Sequence, residues 1–183
     1  ISMKLFPKAL MFAFLSVFLM PSCSDDDDDD SPSSKTSVNG ESSVNLTKGT
    51  LLATDQNSGD SFDRYIFLFS EGISYNAGTD EYSGQGDILF LGLITNNPNG
   101  LRDGDYSPST QRGAFTFVDA TFTKNALAQT NRNDYQTALT SGTVSISGSS
   151  DNDNAVTIKY NLQNATSDTT ISGTFTGVLT KVD

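Results

Sequence analysis

Asp103 and Asp105 in LRDGDYS, and Asp151 and Asp153 in SSDNDNA, set carboxylates two residues apart within turn-forming sequence. These are the segments of the chain that most resemble calcium ligands, since calcium gathers about six to eight oxygens, largely from acidic loops. Neither has the glycine and closing bidentate glutamate of an EF-hand loop, so turn chemistry, with Asp and Asn bonding to their own backbone, competes with calcium at both. A third acidic pair, Asp80 and Glu81 in AGTDEYSGQG, lies between Tyr75 and Tyr82. Rigid rings that carry hydroxyls, beside carboxylates, suit contact with a glycan or a protein.

Other chemistry is set aside by what the chain lacks. It has no His, no Trp and one Cys, Cys23. Without imidazole there is no Ser-His-Asp or Cys-His nucleophile and no ordinary zinc site. One thiol makes neither an intramolecular disulfide nor a thiolate cluster. A formal net charge of −11 repels nucleic acid, whose affinity rests on clustered Lys and Arg. A carboxylate-dependent glycan hydrolase is still open, but it needs two acids about 5 to 10 Å apart across a cleft, and no pair stands out. The expectation is a protein without enzymatic activity and without a resident cofactor, calcium being the one ion its acids suit.

Cys23 is positioned by what surrounds it. Lys4 and Lys8 precede an apolar run over residues 9–20, with small or turn-forming residues before the cysteine. That is the layout of a secretory signal, and as a helix the run reaches about 18 Å, short of the roughly 30 Å of a bilayer core. With Ser22 before it, Cys23 resembles the lipidated cysteine of a bacterial lipobox. Ser24 and the run Asp25, Asp26, Asp27, Asp28, Asp29 and Asp30 then resemble the acidic export signal of Bacteroidetes-type surface lipoproteins. The resemblance implies an acyl anchor in outer-membrane lipid and a domain facing the cell exterior. A solvated, self-repelling spacer is the simpler role for the same six carboxylates. In the same bacterial group Asp168-Thr169-Thr170 resembles an O-glycosylation site with Thr169 as acceptor.

The elements that would hold these residues are strands. In AVTIKYNLQ, Val156, Ile158, Tyr160 and Leu162 alternate with polar residues, the period of a half-buried strand. SGTVSIS and the segment from Thr170 onward repeat the pattern, and the turn-rich links between them predict a C-terminal three-stranded meander. Further strands are expected over residues 45–54, 64–70, 87–95 and 114–123. YIFLFS and ILFLGLI are apolar on both faces, as strands covered on both sides are. Residues 124–139 hold the one candidate helix.

Together these spacings predict an all-β fold, a single antiparallel sandwich or flattened barrel of about eight strands. The expected organisation is a signal peptide over residues 1–22, a lipidated cysteine, acidic run and disordered linker over 23–43, and the β domain over 44–183. The order LRDGDYS, SGTVSIS, VTIKYNL, ISGTFTGVL resembles that of small β-rich lipoproteins of the same bacterial group, which supports the fold and implies no reaction. The expected function is a lipid-anchored surface protein whose domain binds or scaffolds a glycan, a protein or an envelope complex. A lipocalin-like carrier of a small apolar ligand is the alternative from another class, since an eight-stranded barrel can hold one such molecule.

Overall fold

The computed structural model describes residues 34–57, 59–128, 136–149 and 155–182. Within them the chain is all-β. Its strands are β1 (Lys35–Val38), β2 (Glu41–Val44), β3 (Leu46–Asn57), β4 (Phe62–Ser70), β5 (Ile73–Asn76), β6 (Glu81–Thr95), β7 (Gly104–Pro108), β8 (Thr116–Leu127), β9 (Gln136–Ala138), β10 (Ser141–Ser147), β11 (Ala155–Gln163), β12 (Thr170–Val178) and β13 (Thr180–Val182).

Alternation in the sequence becomes alternation in burial. On β11, Val156, Ile158, Tyr160 and Leu162 are buried, and Ala155, Lys159, Asn161 and Gln163 are exposed. The C-terminal meander forms as expected: β10 pairs antiparallel with β11 through Val144↔Tyr160, and β11 with β12 through Ile158↔Phe175. In the N-terminal half, Leu89, Leu91 and Leu93 of β6 pack inward with Ile66 and Leu68 of β4, all five without solvent exposure. Burying each such side chain contributes roughly 2 kcal/mol. Residues of both halves, from Val44 to Leu179, join in a single hydrophobic cluster.

The strands form one ladder in the order β13-β3-β4-β6-β8-β7-β10-β11-β12-β1-β2, with β5 on β6 and β9 on β8. It is mixed where an antiparallel sheet was expected, because β7 runs parallel to β8 and β13 parallel to β3. Leu179 alone separates β12, near one end of the ladder, from β13 at the other. The count exceeds eight because the added strands, β1, β2, β5, β7, β9 and β13, are too short to show periodicity.

Two sequence expectations are corrected. The linker assigned to residues 23–43 overlaps β1 and β2, so the sheet begins at Lys35 and not at Val44. Backbone pairing explains it. β1 adds to the edge of β12 in the register Lys35↔Thr174 to Val38↔Ile171 and needs no apolar stripe to do so. Asn39 and Gly40, with φ of 53° and 82°, turn the chain into β2, the Asn-Gly signal of a tight hairpin. The candidate helix over residues 124–139 is replaced, where it is described, by the end of β8 and by β9. Asn125, at φ 55°, donates its N–H to Asp87 Oδ1 at 2.8 Å, and that contact favours extended chain over helix.

Candidate functional site

β4 and β5 run in the same direction along β6, so residues 62–76 make one bent strand whose partner is the long strand β6. The bend lies at three glycines. A Cβ on Gly72 would sit 2.1 Å from the Gln85 carbonyl oxygen, one on Gly84 2.1 Å from the Gly72 carbonyl oxygen, and one on Gly86 2.2 Å from Ser70 Oγ. Gly84 also has φ of 97°, in the region that side chains disfavour. Only a chain bare of side chains at these points can fold this sharply.

How far it folds is measured by Tyr82. Phe67 pairs with Phe90 on β6, eight residues beyond Tyr82. A straight strand would carry Tyr82 roughly 26 Å away from that level. Instead its ring centroid lies 5.8 Å from both Phe67 and Phe69. The tip of the β5-β6 hairpin is therefore laid back over the outer face of β3 and β4.

The result is a row of six rings outside the main core. Tyr65 stacks on Phe90 at 5.8 Å, Phe90 meets Phe67 at 5.0 Å, and Tyr82 joins Phe67, Phe69 and, at 4.9 Å, Tyr75. Phe69 is buried beneath the hairpin, and the other five rings are half-buried. Hydrogen bonds fix the two hairpin tyrosines: Tyr75 donates to Asp80 Oδ1 at 2.9 Å, and the Tyr82 and Thr50 hydroxyls are bonded at 2.5 Å. Burial raises the Tyr82 hydroxyl above its ordinary pKa against the lowering effect of the Thr50 bond, so it stays protonated.

Along one side runs an open cleft of about 320 Å³. Its lining comes from β3 and the adjoining chain (Thr47, Lys48, Gly49), Phe69, the hairpin (Ser74, Tyr75) and the last two strands (Val178, Thr180). Lys48 Nζ lies 2.9 Å from Glu71 Oε2, and Thr47 donates to Glu71 Oε1 at 2.7 Å. These bonds, that of Lys48 first, hold the Glu71 carboxyl below the usual range.

The far end of the row is braced by a buried polar cluster. Arg64, almost fully buried, donates to the carbonyls of Gly100 at 3.1 Å, Asn97 at 2.9 Å, Pro98 at 2.7 Å and Asp63 at 2.6 Å. It pins the turn after β6 to the mouth of the core. Asp63, on the outer face, is buried and paired with Arg112 from the chain between β7 and β8, a segment tied to β6 where Phe115 N donates to the Ile94 carbonyl at 2.8 Å. The hydrogen bond that Arg112 donates to Asp63 Oδ1 raises the guanidinium above its ordinary value.

No family model matches this chain, and neither a curated protein nor a solved structure does. The site is read from its own residues.

Of the residues singled out from sequence, Tyr75, Asp80, Glu81 and Tyr82 come together as that hairpin. The carboxylates are exposed at its tip and the rings face the sheet. Asp103 and Asp105 do not share a site. Asp103 accepts from Ser149 Oγ at 2.5 Å, Ser149 N at 2.8 Å and Gly148 N at 3.2 Å, bonds that lower its pKa, that of the Ser149 hydroxyl most. Asp105 accepts from Ser145 Oγ at 2.5 Å on the neighbouring strand. Each is engaged in turn or cross-strand bonding, and among the described residues no three metal-ligating side chains gather. Asp151, Asp153, Cys23, Ser24 and the acidic run lie outside the described residues. Thr169 sits half-buried at a turn, its hydroxyl 2.9 Å from that of Ser167. Tyr65, Phe67, Phe69 and Phe90 were legible only as core, because nothing in YIFLFS or ILFLGLI marks which face a folded-back hairpin will leave partly open.

Proposed function

We propose that this chain is a lipid-anchored cell-surface protein, acylated at Cys23 and exported through its acidic run. Its β domain is non-enzymatic and holds an extended neutral glycan along the outer ring-lined face. The observation that carries the reading is the row from Tyr65 and Phe90 through Phe67 to Tyr82 and Tyr75, with five half-buried rings in line. Among the described residues the large exposed apolar side chains are Val118, Leu127 and Val178, which do not form the row. Narrow aromatic faces with polar residues beside them, Thr121 opposite Phe90 and Asp119 opposite Gly92, match a ligand with C–H faces and hydroxyl rims. The net charge of −11 favours a neutral polymer over an anionic one.

A carrier would house its ligand inside, and support for an outer ligand comes from the single cluster of side chains that packs the inner face. Affinity electrophoresis of the purified protein through gels containing neutral polysaccharides tests the reading. Retardation by at least one polymer is expected, with apparent affinity lowered about tenfold or more in Tyr65→Ala/Phe90→Ala. Equal retardation of that variant and the parent would remove the outer face from consideration. A small apolar molecule carried through native mass spectrometry would favour the carrier instead.

A further inference from the structure

We infer that Arg112 and Asp119 form a polar subsite at the Tyr65 end of the ring row, where they read the hydroxyls of the neutral sugar unit stacked on Tyr65; this rests on the glycan reading above. The sheet brings the three side chains together. Tyr65 on β4 pairs with Gly92 on β6, and Gly92 pairs in turn with Asp119 on β8. A Cβ on Gly92 would lie 3.6 Å from the Tyr65 ring and 3.5 Å from Asp119 Cβ, so the ring and the carboxylate flank that glycine on the outer face. Arg112 is brought beside them by Asp63, which precedes Tyr65 by two residues on the same face of β4, a separation of about 7 Å. The Asp63 hydrogen bond is the main cause that raises the guanidinium, and Tyr65 adds to the effect, as a neighbouring group does.

Arg112 is held still and left partly unspent. Asp63 Oδ2 is buried and has no hydrogen-bond partner among the described residues, so Arg112, bonded to Oδ1, is what compensates that carboxylate. Swinging the guanidinium away would strand a carboxylate that is only 2 % exposed, which is costly. Yet the Arg112 side chain is 45 % exposed, and among the described residues its one hydrogen bond is to Asp63, out of five N–H groups. A planar fork fixed in place with donors to spare suits two adjacent hydroxyl oxygens of a sugar. Asp119, exposed on its strand, offers the acceptor that such hydroxyls also need. Local charge selects further. Asp63 matches Arg112 and leaves the Asp119 carboxylate in excess, so an acidic unit is repelled where a neutral one is held.

The test uses the purified full chain in affinity electrophoresis through mannan, xylan, galactan and mixed-linkage glucan, with polygalacturonan as the acidic counterpart. Asp119→Ala changes an exposed position, and Arg112→Lys keeps a cation beside Asp63 while removing the planar fork; unchanged melting temperatures check both folds. Each should lower the apparent affinity for the retarding neutral polymer about three- to tenfold, the worth of one or two hydrogen bonds. Glu81→Ala at the hairpin tip, outside the subsite, should change nothing. Asp119→Ala should also raise retardation by polygalacturonan relative to the neutral polymer, a shift in selectivity that a merely structural role would not produce. A loss in only one of the two variants removes the other residue from the subsite and overturns the pairing. If both bind as the parent does while Tyr65→Ala/Phe90→Ala loses affinity, the subsite inference fails and the glycan reading stands. If the parent is retarded by no neutral polymer, both fail.

Discussion

At the scale of single residues, the most consequential contact for pH behaviour is the 2.5 Å hydrogen bond between the hydroxyls of Thr36 and Tyr160. Both residues are buried, and burial pushes the Tyr160 pKa up to about 12, against the lowering effect of the Thr36 bond. In the unfolded chain the phenol titrates near pH 10. Between the two values the folded state holds a proton that the unfolded state has lost, so stability falls as pH rises through that window. The contribution is fully present below about pH 10 and amounts to on the order of 2 kcal/mol. Tyr160→Phe should lower the denaturation midpoint at pH 7, since it leaves the Thr36 hydroxyl buried without this partner, and should flatten the loss between pH 10 and 12. Denaturation curves at several alkaline pH values check both parts; an equally steep decline in the variant would assign the alkaline loss to other groups.

The same bond shows what the sequence could and could not disclose. That Tyr160 faces inward followed from its place in AVTIKYNLQ. Its partner did not, for Thr36 lies 124 residues away in a segment read as linker. Between them stands Gly173, where a Cβ would come within 2.7 Å of the Tyr160 hydroxyl and 2.4 Å of the Lys35 carbonyl oxygen. A glycine inside a strand pattern marks a close approach, but what approaches depends on pairing across the sheet. Arg64 is the opposite case. A charged residue in an apolar strand offers no hint that backbone carbonyls from the turn after β6 will surround it.

At the scale of elements, the long strands were legible because a period of two sustained over several residues has one reading. The short ones were not, since four residues carry too little pattern, although Asn39-Gly40 was a hairpin signal in plain view. The folded-back hairpin was hidden more deeply. Gly72, Gly84 and Gly86 become a bend only when their positions across the β5-β6 pair are known. β1 gives the prediction at this scale. A chain starting at Val44 loses β1, its four-residue pairing with β12 and the Thr36 bond, and leaves an unpaired edge on β12. Compared with a chain starting at Ser31, it should unfold at lower denaturant concentration, by about 2 kcal/mol or more. Equal midpoints would mean that β1 and β2 add nothing to the fold.

At the scale of the whole molecule, the proposed anchoring and surface delivery are assigned to neighbouring residues, so mutation should separate them. Cys23→Ala should abolish acylation and release the protein into the soluble fraction, because buried acyl chains supply the membrane affinity. Replacing the carboxylates from 25 to 30 with Asn should leave acylation intact. If the run directs export, that variant stays membrane-bound and becomes inaccessible to protease added to whole cells. If the run is only a spacer, a neutral hydrophilic segment serves as well and surface cleavage persists.

The attachment of β1 to β12 also decides how the domain bears force. A chain held at its N-terminal side and loaded through a glycan on its outer face transmits tension first to β1, the earliest described strand. Four residues of ladder, Lys35↔Thr174 to Val38↔Ile171, the Thr36 hydroxyl, the pairing with β2 and the two bonds between Asn39 and Thr170 resist it. When they yield, the β1-β2 hairpin peels from the end of the ladder while β3 to β13, which carry the rings and most of the hydrophobic cluster, can stay joined. On the proposed reading of a membrane-held, glycan-binding domain, the released segment would lengthen the tether before the ring-lined face is strained.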